Sequence, residues 1–246
     1  MHTPPDLTGQ VAIITGASSG IGAGMAERFA AEGMHLVLAA RREEKLHELQ
    51  KQLGPEVETL AVSTDVADAA SCTRLAEAAI DRFGRVDVMI NNAGNAVAKP
   101  LADSSTEEID LQIDVNLKGV CYGSRAVLEI MKSQQSGFIL NIGSICSVLP
   151  FPNYASYVAA KFGVLGFSKA LYEEVREDGI RVHCLCPAAV NTAWSSLAGG
   201  EESLPWPRED RLQPFDLAEL AVTLLKLPKR VNVDQLTVWP VCEPTC

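Results

Sequence analysis

The chain has 246 residues, a formal net charge of -10 and an isoelectric point near 4.9, so it offers no basic face to a nucleic acid or another polyanion. Hydrophobic residues make up 47% and charged residues 21%, enough for one sizeable core. No stretch reaches the ~18 apolar residues that would cross a bilayer, and no basic segment followed by an apolar run opens the chain, so a cytoplasmic protein with no membrane partner is expected.

The first strand, "VAIIT" from Val11, runs into "TGASSGIG" (Thr15–Gly22) and a helix beginning near Gly20. Gly16 permits a sharp turn there, Gly20 lets a pyrophosphate approach the backbone, and Gly22 lets helix and strand pack closely. Ser18, Ser19 and Ile21 fill the rest of the turn. The helix N-terminus adds free N–H groups and a favourable dipole. Glycines spaced four then two apart make this a relative of the G-x-G-x-x-G fingerprint; taken alone, the turn also reads as an ordinary strand-to-helix connection.

The second strand, "HLVLAA" from His35, ends in "AARR". An acidic residue at that point would bind the ribose 2′-hydroxyl of NAD, whereas this chain has Ala40 followed by Arg41 and Arg42. A guanidinium suits a 2′-phosphate, so NADP(H) is expected over NAD(H), with Arg41, nearer the strand end, as the first choice. Surface solvation of both arginines is the alternative.

Further along come a helix near Glu43, the strand "TLAVSTD" from Thr59, a helix near Asp68, and the strand "VDVMINN" from Val86, which closes on "NNAG" (Asn91–Gly94). A helix near Thr106, the strand "GFILNIG" from Gly137, a helix near Tyr154 and the strand "IRVHCLCP" from Ile180 follow. A helix near Asp216 and the strand "QLTVWP" from Gln235 finish the series. Seven strands alternating with helices predict an α/β fold, a Rossmann-type doubly wound, seven-stranded parallel sheet with helices on both faces. Residues 1–246 read as a single domain. The stretch 188–215, rich in Gly and Pro and carrying Trp194 and Trp206, reads as a substrate lid or as a surface insertion. Seven cysteines without a C-x-x-C pair, and four histidines without ligand spacing, suggest neither a disulfide framework nor a metal site.

"YVAAK" places Tyr157 and Lys161 four residues apart, side by side on one helix face. An ammonium ~4 Å from a phenol, at an effective dielectric near ~20, favours the phenolate by ~4 kcal/mol, or up to ~3 pKa units. Such a tyrosine could exchange a proton near neutral pH. The alternative is a core-facing aromatic beside a snorkelling lysine.

Taken with the glycine turn, with "NNAG", with Asn116 in "DVNLKG" and with Ser144 in "NIGSICS", this pair makes the whole chain resemble the short-chain dehydrogenase/reductase family. The resemblance implies that Tyr157 is the general acid protonating a carbonyl oxygen as hydride arrives, or the base in reverse. It implies that Lys161 lowers the phenol's pKa and binds the nicotinamide ribose, that Ser144 holds the substrate oxygen, and that Asn116, in a helix, binds a water linking Lys161 to solvent. Cofactor contacts are implied for Asp65 and Val66 at the adenine, for Asn92, Ala93 and Gly94 beside it, and for Pro187, Val190 and Thr192 at the nicotinamide carboxamide; Asn91 is expected to be structural. One departure is Ala188, where the family usually has glycine after the proline. Relatives form dimers and tetramers through the helices that correspond to those near Thr106 and Tyr154, so a homo-oligomer, tetramer or dimer, is implied.

Cys146, Phe151 and Tyr154, together with Trp194, are candidate substrate contacts, which favours an uncharged, partly apolar ketone, aldehyde or alcohol. The expected activity is NADP(H)-dependent carbonyl reduction or its reverse. The rivals are an NAD-dependent alcohol dehydrogenase, a catalytically silent dinucleotide-binding sensor or scaffold, and a lyase or isomerase on the same scaffold; the intact Ser144, Tyr157 and Lys161 and the cofactor features weigh against the last two.

Overall fold

The protein is described by a computed structural model that covers residues 3–193 and 206–243. Seven parallel strands form one sheet: β1 (Val11–Thr15), β2 (His35–Ala40), β3 (Thr59–Ser63), β4 (Val88–Asn91), β5 (Gly137–Ile142), β6 (Ile180–Pro187) and β7 (Gln235–Val238). Their order is β3-β2-β1-β4-β5-β6-β7. Among the described residues the α-helices are α1 (Gly20–Ala31), α2 (Glu43–Leu53), α3 (Ala69–Phe83), α4 (Thr106–Ile113), α5 (Gly119–Gln134), α6 (Ala155–Val175) and α7 (Pro214–Leu225).

Side chains on successive strand residues point to opposite faces, and both faces are apolar here. Ala12, Ile14, Leu36 and Leu38 pack on one side against Met25 and Phe29 of α1, Leu46 of α2 and Leu217 of α7. Val11, Ile13, Val37 and Ala39 pack on the other against Leu75 of α3, Val127 and Met131 of α5 and Leu171 of α6. Phe29 is wholly buried, a contribution of roughly 1.5–3 kcal/mol from that side chain.

The helix starts are chemical. Asp68 lies just outside α3 and accepts the N–H groups of Ala70 and Ser71, so it caps the helix instead of opening it. Ser105 and Glu108 close a capping box on α4. α7 begins at Pro214, two residues before the expected Asp216, because the fixed φ of proline suits the first helical turn.

Where the sequence suggests one uninterrupted helix from Thr106, the structure has α4, a π turn over Asp114–Lys118, and α5. Such turns insert an extra residue into the helical ladder. No helix among the described residues is long and apolar enough to cross a membrane.

Candidate active site

β1 lies between β2 and β4, so the chain winds outward from it in both directions, and a crevice opens at the strand ends there. The two lips are tied together. Thr15 Oγ1 accepts the N–H groups of Asn92 and Ala93 at 2.9 and 3.1 Å and donates to the Ile90 carbonyl at 3.2 Å. Asn92 Nδ2 donates to the carbonyls of Thr15 and Gly16 at 2.9 and 3.3 Å.

Gly16 has φ +67°, and a Cβ there would stand 2.8 Å from Asn92 Nδ2. A Cβ on Gly22 would collide with the Gly16 carbonyl oxygen. Gly16 is therefore required by close approach and by conformation, and Gly22 by close approach alone. On the outer side of the turn, Arg42 Nη2 donates to Ser18 Oγ at 3.0 Å and to Ser19 Oγ at 3.4 Å. With Lys45 they line an open cleft of about 320 Å³ beside the turn.

The two arginines after β2 stand differently. Arg41 is exposed and makes no hydrogen bond or ion pair among the described residues, whereas Arg42, at the foot of α2, reaches back to the serines. Asp65, just past β3, is exposed and its carboxylate accepts the Ala67 N–H at 3.0 Å. Val66 is buried against the first residue of α5.

The proton-carrying groups stand on the β5 side. Tyr157 and Lys161, on one face of α6, are both buried. Lys161 Nζ donates to the Ile142 carbonyl at 2.8 Å and lies 5.7 Å from the Tyr157 ring centroid. The Tyr157 and Ser144 hydroxyls share a hydrogen bond. Ser144 is held by the short turn Ile145–Ser147, which it caps by accepting the Cys146 N–H at 3.1 Å.

Burial pushes the Tyr157 phenol well above its ordinary value, with Cys146 adding to the rise and the Ser144 hydrogen bond opposing it. Burial also pulls the Lys161 ammonium down to about 8. This corrects the expectation of a phenol drawn toward neutrality, because the Coulomb argument weighed the lysine's charge and left out desolvation of both partners.

Asn116 sits in the π turn and is wholly buried. Its Nδ2 donates to Asn95 O, Asn95 Oδ1 and Gln112 O at 2.8–3.0 Å, and its Oδ1 accepts the Asn95 N–H at 3.2 Å. The side chain expected to hold a water is thus committed to fixing the segment beyond "NNAG". That segment passes close by: a Cβ on Gly94 would stand 2.9 Å from Asn116 Oδ1 and 3.9 Å from Lys161 Nζ. Asn91 is buried inside the sheet, donating to Ser124 Oγ at 2.9 Å and to Asn141 Oδ1 at 2.8 Å.

Around Tyr157 lies a small apolar cluster. Ala96, Ile145 and Cys146 are buried with it, and Val148, Leu149, Phe151, Tyr154, Ala188 and Trp239 pack against them. The Tyr154 and Tyr157 rings meet edge-on at 6.1 Å. Sequence reasoning missed Ala96 and Trp239, since only the pairing of β7 with β6 brings Trp239 beside Ala188. Trp194 lies outside the described residues.

After Pro187 the chain crosses toward the glycine turn. The Thr192 side chain approaches Gly20 so closely that a Cβ there would stand 3.2 Å from Thr192 Cγ2. Val190 pairs with Leu212, with Asn191 N donating to Leu212 O at 2.8 Å and Leu212 N to Ala189 O at 3.1 Å. The two ends of the 188–215 stretch are thereby fastened to each other. Among the described residues no cluster of His, Cys, Asp or Glu could hold a metal ion.

The short chain dehydrogenase family model matches residues 10–201. An uncharacterised oxidoreductase of Staphylococcus saprophyticus is 35% identical over 238 residues, 96% of this chain and 99% of that protein. Two solved structures are similar over nearly the whole chain. An alcohol dehydrogenase of the archaeon Thermococcus sibiricus, complexed with 5-hydroxy-NADP, is 34% identical at a TM-score of 0.85 and covers 96% of this chain and 98% of its own. A 3-ketoacyl-(acyl-carrier-protein) reductase of Brucella melitensis, complexed with NADH, is 33% identical at a TM-score of 0.85 and covers 94% of this chain and 97% of its own. With the tied glycine turn at the sheet's switch point and the buried Ser144, Tyr157 and Lys161, these matches place the chain in the short-chain dehydrogenase family, as one of its oxidoreductases.

Proposed function

We propose that the protein is an NADP(H)-dependent oxidoreductase that interconverts an uncharged, partly apolar ketone or aldehyde and its alcohol, with Tyr157 as general acid and base. The observation that carries this reading is the Tyr157–Ser144 hydrogen bond inside an apolar cluster at the crevice, with Lys161 on the same helix face. The residues present fit a dinucleotide. The glycine turn keeps left-handed backbone at Gly16 and Gly20, the helix N-terminus behind it favours a pyrophosphate, and Arg42 with Ser18 and Ser19 suits a 2′-phosphate.

When bound, the nicotinamide gives hydride to the substrate carbon or takes it back. The chain's own groups manage the proton and the charge. Tyr157, kept protonated by burial, holds at its Oη the proton that a carbonyl oxygen needs. Ser144 presents a second hydroxyl to that oxygen, so charge developing on it meets two donors already fixed by the α6 helix and the Ile145–Ser147 turn. Lys161, anchored to Ile142 O, places its cation where it stabilises the phenolate left behind. Cys146, Phe151, Tyr154 and Trp239 exclude water and favour an apolar substituent on the substrate.

Thr192 stands beside Gly20 of the glycine turn, and Pro187, Val190 and Thr192 are assigned to the carboxamide. Asp65 and Val66 are assigned to the adenine. Phe162, exposed on α6, supports association through that helix, and the protein is read as a homo-oligomer of one-domain subunits. Neighbouring structures hold NADP in one case and NADH in another, so the preference rests here on Arg42.

The test is purified protein with NADPH or NADH and a panel of apolar ketones and aldehydes, followed by loss of the reduced dinucleotide's absorbance. Turnover with NADPH, and an Arg42→Ala variant that loses ~1–3 kcal/mol for NADPH alone while Arg41→Ala loses less, is the expected outcome. Equal or better use of NADH by the unaltered protein would remove the NADP assignment, and no turnover with any carbonyl or alcohol would remove the reaction.

A further inference from the structure

The chain does not leave the molecule after β7. Trp239 packs into the apolar cluster beside Tyr157 and Ala188, and the backbone then turns, with Glu243 N donating to Pro240 O at 3.1 Å. Two side chains of this turn reach the base of the 188–215 stretch, one at each end. Cys242 Sγ donates to the Asp210 carbonyl at 3.3 Å, beside the Val190–Leu212 pairing. Glu243 Oε2 accepts the Ala189 N–H at 3.0 Å.

The segment Ala188–Thr192 is short, and its conformation is set by who takes its N–H groups. Ala188 N donates to Val238 O at 2.8 Å, Asn191 N to Leu212 O at 2.8 Å and Thr192 N to Val190 O at 3.0 Å. Three of these groups therefore go to backbone carbonyls, and Ala189 goes to a carboxylate. Among the described residues the Val190 N–H has no such partner, and it lies directly between the Glu243 contact and the Leu212 pairing. A bond to an ionised acceptor is stronger than one to a carbonyl.

We infer that Glu243 is a positioning residue for the nicotinamide half of the cofactor: through its hydrogen bond to Ala189 it holds the β6 segment so that the Val190 N–H stays presented to the carboxamide. This rests on the dinucleotide reading proposed above. The C-terminal turn thereby becomes part of the cofactor site, although it stands more than fifty positions later in the sequence than the segment it supports.

Binding of NADPH and of adenosine 2′,5′-bisphosphate, which lacks the nicotinamide half, is measured by fluorescence and calorimetry for the unaltered protein, Glu243→Ala and Glu243→Gln, with the thermal midpoint of each. Glu243→Ala should weaken NADPH binding about tenfold and leave the bisphosphate unchanged. The Michaelis constant for NADPH should rise with kcat at saturation held within about twofold, as expected when ground-state and transition-state binding are lost equally. Glu243→Gln should recover most of the affinity, because its amide oxygen accepts the same N–H. Unchanged NADPH binding in Glu243→Ala overturns the inference, and so does a loss shared by the bisphosphate or matched by a fall in thermal midpoint. An unaltered protein that binds neither dinucleotide overturns the functional reading and this inference together.

Discussion

On the β1 and β4 side of the crevice, the surface is shaped by backbone: Gly16, Gly22 and the "NNAG" strip are locked by Thr15 and Asn92, and few side chains project into the opening. On the β5 and β6 side the reverse holds, since Ser144 and Cys146 from the turn after β5, Tyr157 and Lys161 from α6, and Trp239 from beyond β7 shape it with side chains. The first side tolerates little because its atoms nearly touch. The second tolerates substitution structurally but not chemically. The two sides should therefore fail in different ways.

The largest effect belongs to the side-chain bank. Tyr157→Phe removes the proton donor while keeping the ring in its cluster, so turnover should fall by about 10²–10⁴-fold with dinucleotide affinity and folding unchanged. Turnover within tenfold of the unaltered enzyme would show that another group supplies the proton and would erase the contrast. Gly22→Ala sharpens it from the other bank. The added methyl meets the Gly16 carbonyl, and the turn must move, so a loss of roughly 1–3 kcal/mol in stability should accompany a loss of dinucleotide binding. Denaturant unfolding and a binding titration on the same sample check both, and a stable, binding-competent variant would contradict the close approach.

The smallest effect concerns Lys161. Its ammonium is held at about 8 in the folded chain against an ordinary 10.5, so below pH 8 the folded state carries the cost of keeping a charged group out of water. The unfolded chain binds more protons between those values, hence this group's contribution to stability rises with pH from about 8 to 10.5. Lys161→Met should raise stability at pH 7 by about 1–3 kcal/mol, less what is lost with the bond to Ile142 O, and the gain should shrink as pH approaches 10.5. Unfolding curves at several pH values decide it. A variant less stable at neutral pH would mean that the lysine's hydrogen bond outweighs its burial.

Much of the fold was legible because its signals are local. Four of the seven strands, β1, β2, β5 and β6, begin at the expected residue and end within one residue of the expected stop. β3 and β7 are shorter than their apolar runs, since ladder pairing ends where β2 and β6 end, at Ala40 and Pro187, and β4 is shorter at both ends. The grouping of Ser144 with Tyr157, and of Lys161 on the same helix face, was legible through spacing and resemblance. Three features were not. The π turn around Asn116 leaves no mark in composition, because its cause is the Asn95 backbone arriving from another segment. The preference of Arg42 over Arg41 depends on the direction in which α2 starts. The direction of the Tyr157 shift depends on burial, which a pair spacing does not report.

The pairing of Val190 with Leu212 closes the intervening stretch at its base, where Asn191 Nδ2 also donates to Gln213 Oε1 at 2.9 Å. Once the two ends are joined, lengthening what lies between adds only a logarithmic entropy term, ~0.6 kcal/mol for each doubling. Evolution or a designer can then exchange that interval for one of another length or composition at small thermodynamic cost, leaving the sheet and the turn beneath it as they are.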